Sequence, residues 1–125
     1  MKILILIHVL LLLLLTFCKT SSDPISRFIP GTYIRFSQHE FGTEYDTLVI
    51  SFQNKTVHEY QILRKWKYER ILDGKVIEPE YKKHFTTAVY DSETKLLRET
   101  ETGKTYSFDK QNKLLFNGTI KYKKL

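Results

Sequence analysis

Arg64, Trp66, Tyr68 and Arg70 stand at every second position of "RKWKYER", and no other group in the chain has residue types so suited to recognition. In an extended segment alternate side chains leave the same face, so these four would share one surface. A guanidinium over an indole or phenol ring is held by about 0.5 to 2 kcal/mol, depending on exposure. Alternating cations and flat rings suit a planar or anionic ligand, which makes these four the candidate ligand-binding residues. A second arrangement needs no ligand: the arginines cap the open end of a barrel and pair with Glu78 or Glu80 across a hairpin, while Trp66 fills the core.

Catalytic machinery is not visible. Glu78 and Glu80 straddle Pro79 and point the same way in an extended chain, as do Glu44 and Asp46. Glycoside hydrolysis needs carboxylates that face each other across a substrate, so both pairs read as surface charge. His39, His58 and His84 lack the close spacing of a metal-binding pair. The chain also has no Gly-x-Ser-x-Gly elbow and no Gly-x-x-x-x-Gly-Lys phosphate loop. The expectation is a protein that is not an enzyme and carries no metal or cofactor.

Strand chemistry surrounds the candidate face. "YIRFS" and "TLVISF" alternate with the period of two of a half-buried strand. The stretch "EYQILRKWKYERIL", 59–72, fits that template better than a helical one. Turn signals recur between such runs. Asp73-Gly74 and Asn117-Gly118 are expected to close tight hairpins of type I′, and Pro79 requires a bulge, a bend or an edge. "YDSETKLL" at 90–97 and "FDKQNKLL" at 108–115 repeat with an offset of 18 residues, as a recurring hairpin unit would. Alanine is scarce while tyrosine, phenylalanine, threonine and isoleucine are plentiful, which favours strand over helix. The expected fold is all-β: a small antiparallel up-and-down meander of about eight strands rolled into a barrel, with a two-sheet sandwich as the alternative. The segment "FIPGTYIRF", through Gly31-Thr32-Tyr33, is similar to the Gly-x-aromatic first strand of lipocalin-like barrels.

The front end indicates where this body works. After Met1-Lys2 an apolar run reaches Phe17, broken only by His8 and Thr16, and then gives way to "KTSSDP". That is a secretory signal pattern, shorter than the roughly 20 apolar residues a spanning helix needs. Leu15-Thr16-Phe17-Cys18 resembles the lipobox of bacterial lipoproteins, with Phe17 where that motif normally has a small residue. The resemblance implies lipidation of Cys18, by palmitate or a similar acyl chain, after cleavage behind residue 17. Cys18 is the only cysteine, so the chain has no disulfide framework. The expected organisation is a signal peptide at 1–17, a lipidated cysteine and short tether at 18–27, and a single β domain at 28–125.

Loss of the signal removes Lys2 and leaves 19 basic against 14 acidic side chains, a formal charge of +5. Such a balance suits anionic headgroups and polysaccharides. Nucleic acid is not expected for an exported chain. The sequence therefore leads to the expectation of a monomeric, non-enzymatic lipoprotein of the cell envelope, held to the membrane by its lipid anchor and binding a lipid, glycan or other anionic ligand. An accessory lipoprotein that binds another envelope protein is the alternative, and a secreted protein the alternative location.

Overall fold

The computed structural model describes residues 1–14 and 23–125. Residues 15–18 and the expected cleavage point lie outside the described residues. Helix α1 (Lys2–Leu14) follows the apolar run and exposes Ile3, Leu4, Leu6 and Leu10. Among the described residues no helix is long and apolar enough to cross a membrane.

The rest is β-structure. The strands are β1 (Gly31–His39), β2 (Gly42–Asn54), β3 (Glu59–Leu72), β4 (Lys75–Val76), β5 (Glu80–Asp91), β6 (Leu96–Glu99), β7 (Thr105–Asp109), β8 (Leu114–Asn117) and β9 (Ile120–Lys124). All pairings are antiparallel, and β9 returns to β1 with Tyr33 opposite Lys124. The expected meander is thus a closed eight-stranded up-and-down barrel with one short extra strand, not a two-sheet sandwich. The extra strand β4 runs along the same side of β3 as β5 does. Between them residues 77–79 stand opposite only Glu69 and Arg70, a bulge at the position of Pro79, which has no N–H to give to a ladder.

Turn chemistry sets the register. Asp73 and Gly74 have φ of 50° and 74°, the pair of positive values that a type I′ turn requires. The last hairpin differs from expectation by one position. Asn117 pairs with Ile120, so Gly118 and Thr119 form the loop, and only Gly118 has positive φ, as in a type II′ turn. The 18-residue echo is two copies of one hairpin loop. Asp91 and Asp109 accept backbone N–H groups at its start, Lys95 and Lys113 take φ of 60° and 56° at its end, and Leu97 and Leu115 follow into the core.

Strand lengths are unequal. β2, β3 and β5 have 13, 14 and 12 residues, whereas β6 to β9 have four or five. β6 pairs with β5 only from Ala88 onward, and β9 pairs with β1 only at Tyr33 and Ile34. The far halves of β1, β2, β3 and β5 therefore rise past the barrel as an open sheet.

Inside the barrel the strand period brings Leu48, Ile50, Ile62, Ala88, Leu97 and Leu115 together with five tyrosines, all buried. Each phenol donates a hydrogen bond. Tyr33 donates to the Ile29 carbonyl at 2.8 Å, Tyr60 to the Ser26 carbonyl at 3.0 Å and Tyr90 to Asp23 Oδ2 at 2.9 Å. Tyr106 donates to Glu99 Oε1 at 2.5 Å and Tyr122 to Asp46 Oδ2 at 2.8 Å. The first three acceptors lie on or beside α2 (Pro24–Phe28), a short helix with Asp23 as its N-cap. Ile29, fully buried, follows it into the barrel end. Residues 23–27, expected within a solvated tether, thus pack as a plug: Ser26 is buried, and Asp23 also receives Lys95 at 2.8 Å.

Burial raises the pKa of all five tyrosines. At Tyr90, Tyr106 and Tyr122 the carboxylate acceptor raises it further. A group whose folded pKa exceeds its unfolded value stabilises the fold fully below the unfolded pKa, about 10, and loses that contribution as pH rises through the folded value. Stability should hold up to about pH 10 and then fall steeply. Absorbance titration at 295 nm with parallel circular dichroism should show five tyrosines ionising together with unfolding; smooth ionisation of all eight in a folded protein would contradict this.

Candidate functional site

The alternation expected for 59–72 is present, and Arg64, Trp66, Tyr68 and Arg70 share the concave face of β3. The structure brings all four to the open end of the barrel and gives each a protein partner. Arg64 Nε and Nη2 donate to Asp46 Oδ1 and Oδ2 at 2.9 and 2.6 Å. Asp46 is 1 % exposed and also accepts from Tyr122, so it is a buried acceptor and not the surface charge expected from the sequence. The carboxylate raises the Arg64 pKa further above its ordinary value, and the guanidinium stays charged. Trp66 Nε1 donates to Glu44 Oε1 at 2.5 Å, and Glu44 lies 3.7 Å from Arg35. The Tyr68 hydroxyl donates to the Phe41 carbonyl at 3.2 Å. Arg70 is loosely paired with Glu80 at 4.0 Å, the cross-hairpin contact that the ligand-free arrangement required.

What remains open on this face is a row of rings. The Trp66 and Tyr68 rings stack with centroids 5.7 Å apart, and His39 continues the stack at 6.2 Å from Tyr68. The cation over Trp66 is Lys82, 5.2 Å from the ring, and not an arginine. A cleft of about 180 Å³ opens here between Arg64, Trp66, Lys82, Lys83 and His84.

A larger hollow lies on the opposite face of the same strands. Tyr45 and Thr47 on β2, Lys65 and Lys67 on β3, and Tyr81 and Lys83 on β5 point outward and line a groove of about 510 Å³, which Trp66 and Lys82 also border. Register places Tyr45, Lys67 and Tyr81 in one row and Thr47, Lys65 and Lys83 in the next. Lys67 is neutralised by Glu69 at 2.7 Å and lies 5.1 Å from the centre of the Tyr45 ring. Lys65 and Lys83 face each other directly across the β3–β5 pair. Among the described residues neither has a carboxylate within ion-pair distance. Like charges directly opposite in a sheet are destabilising, and an anion between them would reverse the sign.

This groove was out of reach of sequence reasoning. A period of two puts Lys65 and Lys67 on the far side of the candidate strand, but their convergence with Lys83 needs the β3–β5 register. Among the described residues no three His, Cys, Asp or Glu side chains gather as a metal-ligating group. The chain matches no protein-family model, no curated protein and no solved structure.

Both faces depend on the close approach of β2 to β3 at Gly42. A Cβ there would lie 2.4 Å from the Glu69 carbonyl oxygen and 2.8 Å from the Tyr68 ring. Gly42→Ala should cost about 1 to 3 kcal/mol, as overpacking does. Urea unfolding should show the midpoint falling with an unchanged slope; a variant as stable as the native chain would mean that the two strands do not meet as described.

Proposed function

We propose that this protein is a non-enzymatic lipoprotein of the cell envelope that binds an anionic ligand with a flat or apolar body on the outside of its barrel. The observation that carries the reading is the opposed Lys65–Lys83 pair on the floor of a groove walled by Tyr45 and Tyr81. Lysine stems and phenol rings supply apolar surface while the ammonium groups remain at the rim, a combination suited to an anionic lipid or an acidic glycan. The groove volume lies within the usual range for small-molecule sites. The barrel interior offers no comparable reason for a ligand, since its own tyrosines and the Arg64–Asp46 pair fill it. Of the four residues on the concave face only Trp66 borders the groove, and Lys82 leaves one flank of its indole charged.

The envelope part of the reading rests on the signal pattern and Cys18. Its support in the fold is the plug: the chain joins the barrel at the closed end, opposite the open sheet, so an anchor at Cys18 would leave the groove free of the tether.

Dodecyl phosphate and an uncharged dodecyl glycoside, both below micelle formation, serve as probes. Calorimetry should show at least a tenfold preference for the phosphate, and Lys83→Gln should remove most of it. The same substitution should raise the stability of the unliganded protein by about 0.5 kcal/mol, because it relieves a like-charge pair. Equal affinity for the two probes would refute the anion site. Separately, the N-terminal peptide from the native cell should carry acyl chains on Cys18; an unmodified cysteine still preceded by Phe17 would remove the envelope anchor.

A further inference from the structure

The groove ends at an edge of the sheet that the barrel does not use. β6 begins its pairing with β5 at Ala88, and next to this pair the Thr100 N–H, just past the end of β6, donates to the Thr87 carbonyl at 2.9 Å. Beyond it the chain turns away toward β7, and among the described residues no strand lies on the β6 side of β5 from Glu80 to Thr86, where β3 is its one neighbour. In an antiparallel strand the N–H and C=O of one residue point to the same side, and the side alternates along the chain. Thr87 points to the β6 side and Tyr90 to the β3 side, where its N–H reaches the His58 carbonyl at 3.0 Å. The register of β5 on β3 is unbroken over these residues. Tyr81, Lys83 and Phe85 therefore turn their three N–H and three C=O groups to the open edge.

The side chains around this edge are selective. Tyr81 and Phe85 are 70 % and 54 % exposed on the outer face with Lys83 between them. Lys82 and His84 lie on the concave face. A strand laid against β5 must place apolar groups opposite Tyr81 and Phe85 and acidic groups opposite Lys82, Lys83 and His84. Lysines on an edge discourage neutral and basic strands, which is how many sheets avoid aggregation. They do not repel an acidic one. A second copy of this chain is a poor occupant, because antiparallel pairing of two β5 edges sets Lys82 and Lys83 against their own kind.

We propose that the open edge of β5 docks an extended acidic segment of another protein, which adds as a strand beside Tyr81, Lys83 and Phe85. The backbone groups supply affinity and the alternate side chains supply selectivity, the general mode of strand addition. This site shares Tyr81 and Lys83 with the rim of the ligand groove but uses their backbone groups, and it extends past the groove to Phe85, which does not line it.

The test uses the full chain and a capped peptide with three glutamates flanked by a valine on each side, against the same peptide with lysines in place of the glutamates. Hydrogen exchange followed by NMR should show the amides of Tyr81, Lys83 and Phe85 slowed at least tenfold by the acidic peptide and unaffected by the basic one. Phe85→Pro removes one edge N–H without touching the ladder to β3, and should abolish binding while the protein stays folded. Phe85→Ala keeps the N–H and should weaken binding only a few-fold. Lys65→Gln, which removes the other half of the opposed lysine pair from β3 and leaves the β5 edge intact, should weaken dodecyl phosphate binding and still let the acidic peptide protect the three amides, which separates the two sites. The proposal is overturned if the acidic peptide leaves the three amides unprotected, if both peptides protect them equally, or if β5 pairs with a second copy of the chain instead.

Discussion

Every phenol placed inside this barrel must find an acceptor, and that requirement organises the molecule from end to end. A buried hydroxyl without a partner costs about 1 to 3 kcal/mol, so five of them cannot be left unsatisfied. Tyr33, Tyr60 and Tyr90 meet the requirement with residues 23–29, which become the plug of one end. Tyr106 and Tyr122 meet it with Glu99 and Asp46, two buried carboxylates in the other half. Asp46 in turn needs a cation, and Arg64 of the neighbouring strand is bound to it. The sequence of dependencies runs from apolar alternation to inward tyrosines, then to buried acceptors, and ends by committing an arginine to structure.

The consequence for function is displacement. Small eight-stranded barrels have interiors just wide enough for side chains or for one small ligand, and here side chains occupy the space. On the proposed reading, recognition falls instead to the part of the sheet that the short strands leave behind. Because β6 to β9 stop early, β3 and β5 rise with both faces and one edge uncovered. Cations and rings are concentrated on this region, where Lys65, Lys67, Lys82, Lys83, Tyr45 and Tyr81 meet.

Much of the architecture was legible in the sequence. Alternation in "TLVISF" and in 59–72, the Asp73-Gly74 turn, the 18-residue echo and the break at Pro79 all follow from the local backbone preferences of a few residues. The Gly118 hairpin shows the limit of such reading, since Asn117-Gly118 and Gly118-Thr119 are both acceptable turns and only cross-strand packing selects between them. The candidate site was legible in part. That Arg64, Trp66, Tyr68 and Arg70 share a face follows from a period of two. That Arg64 is neutralised by Asp46, that Lys82 and not an arginine covers Trp66, and that Lys65 meets Lys83 all depend on which strands become neighbours. The plug was hidden for a similar reason: "DPIS" has the polarity of a linker, and only its packing on Tyr60 and Tyr90 makes it part of the core.

The central claim is that the interior is closed by its own tyrosines and that recognition takes place on the outer wall. Mapping chemical-shift changes on the full chain as dodecyl phosphate is added tests this most directly. The account predicts changes confined to the groove, largest at Tyr45, Lys65, Lys67, Tyr81 and Lys83, with the methyl groups of Leu48, Ile62 and Leu115 unmoved. Changes concentrated at those three core methyls, with the lysines silent, would show that the barrel opens to receive its ligand and would contradict the account.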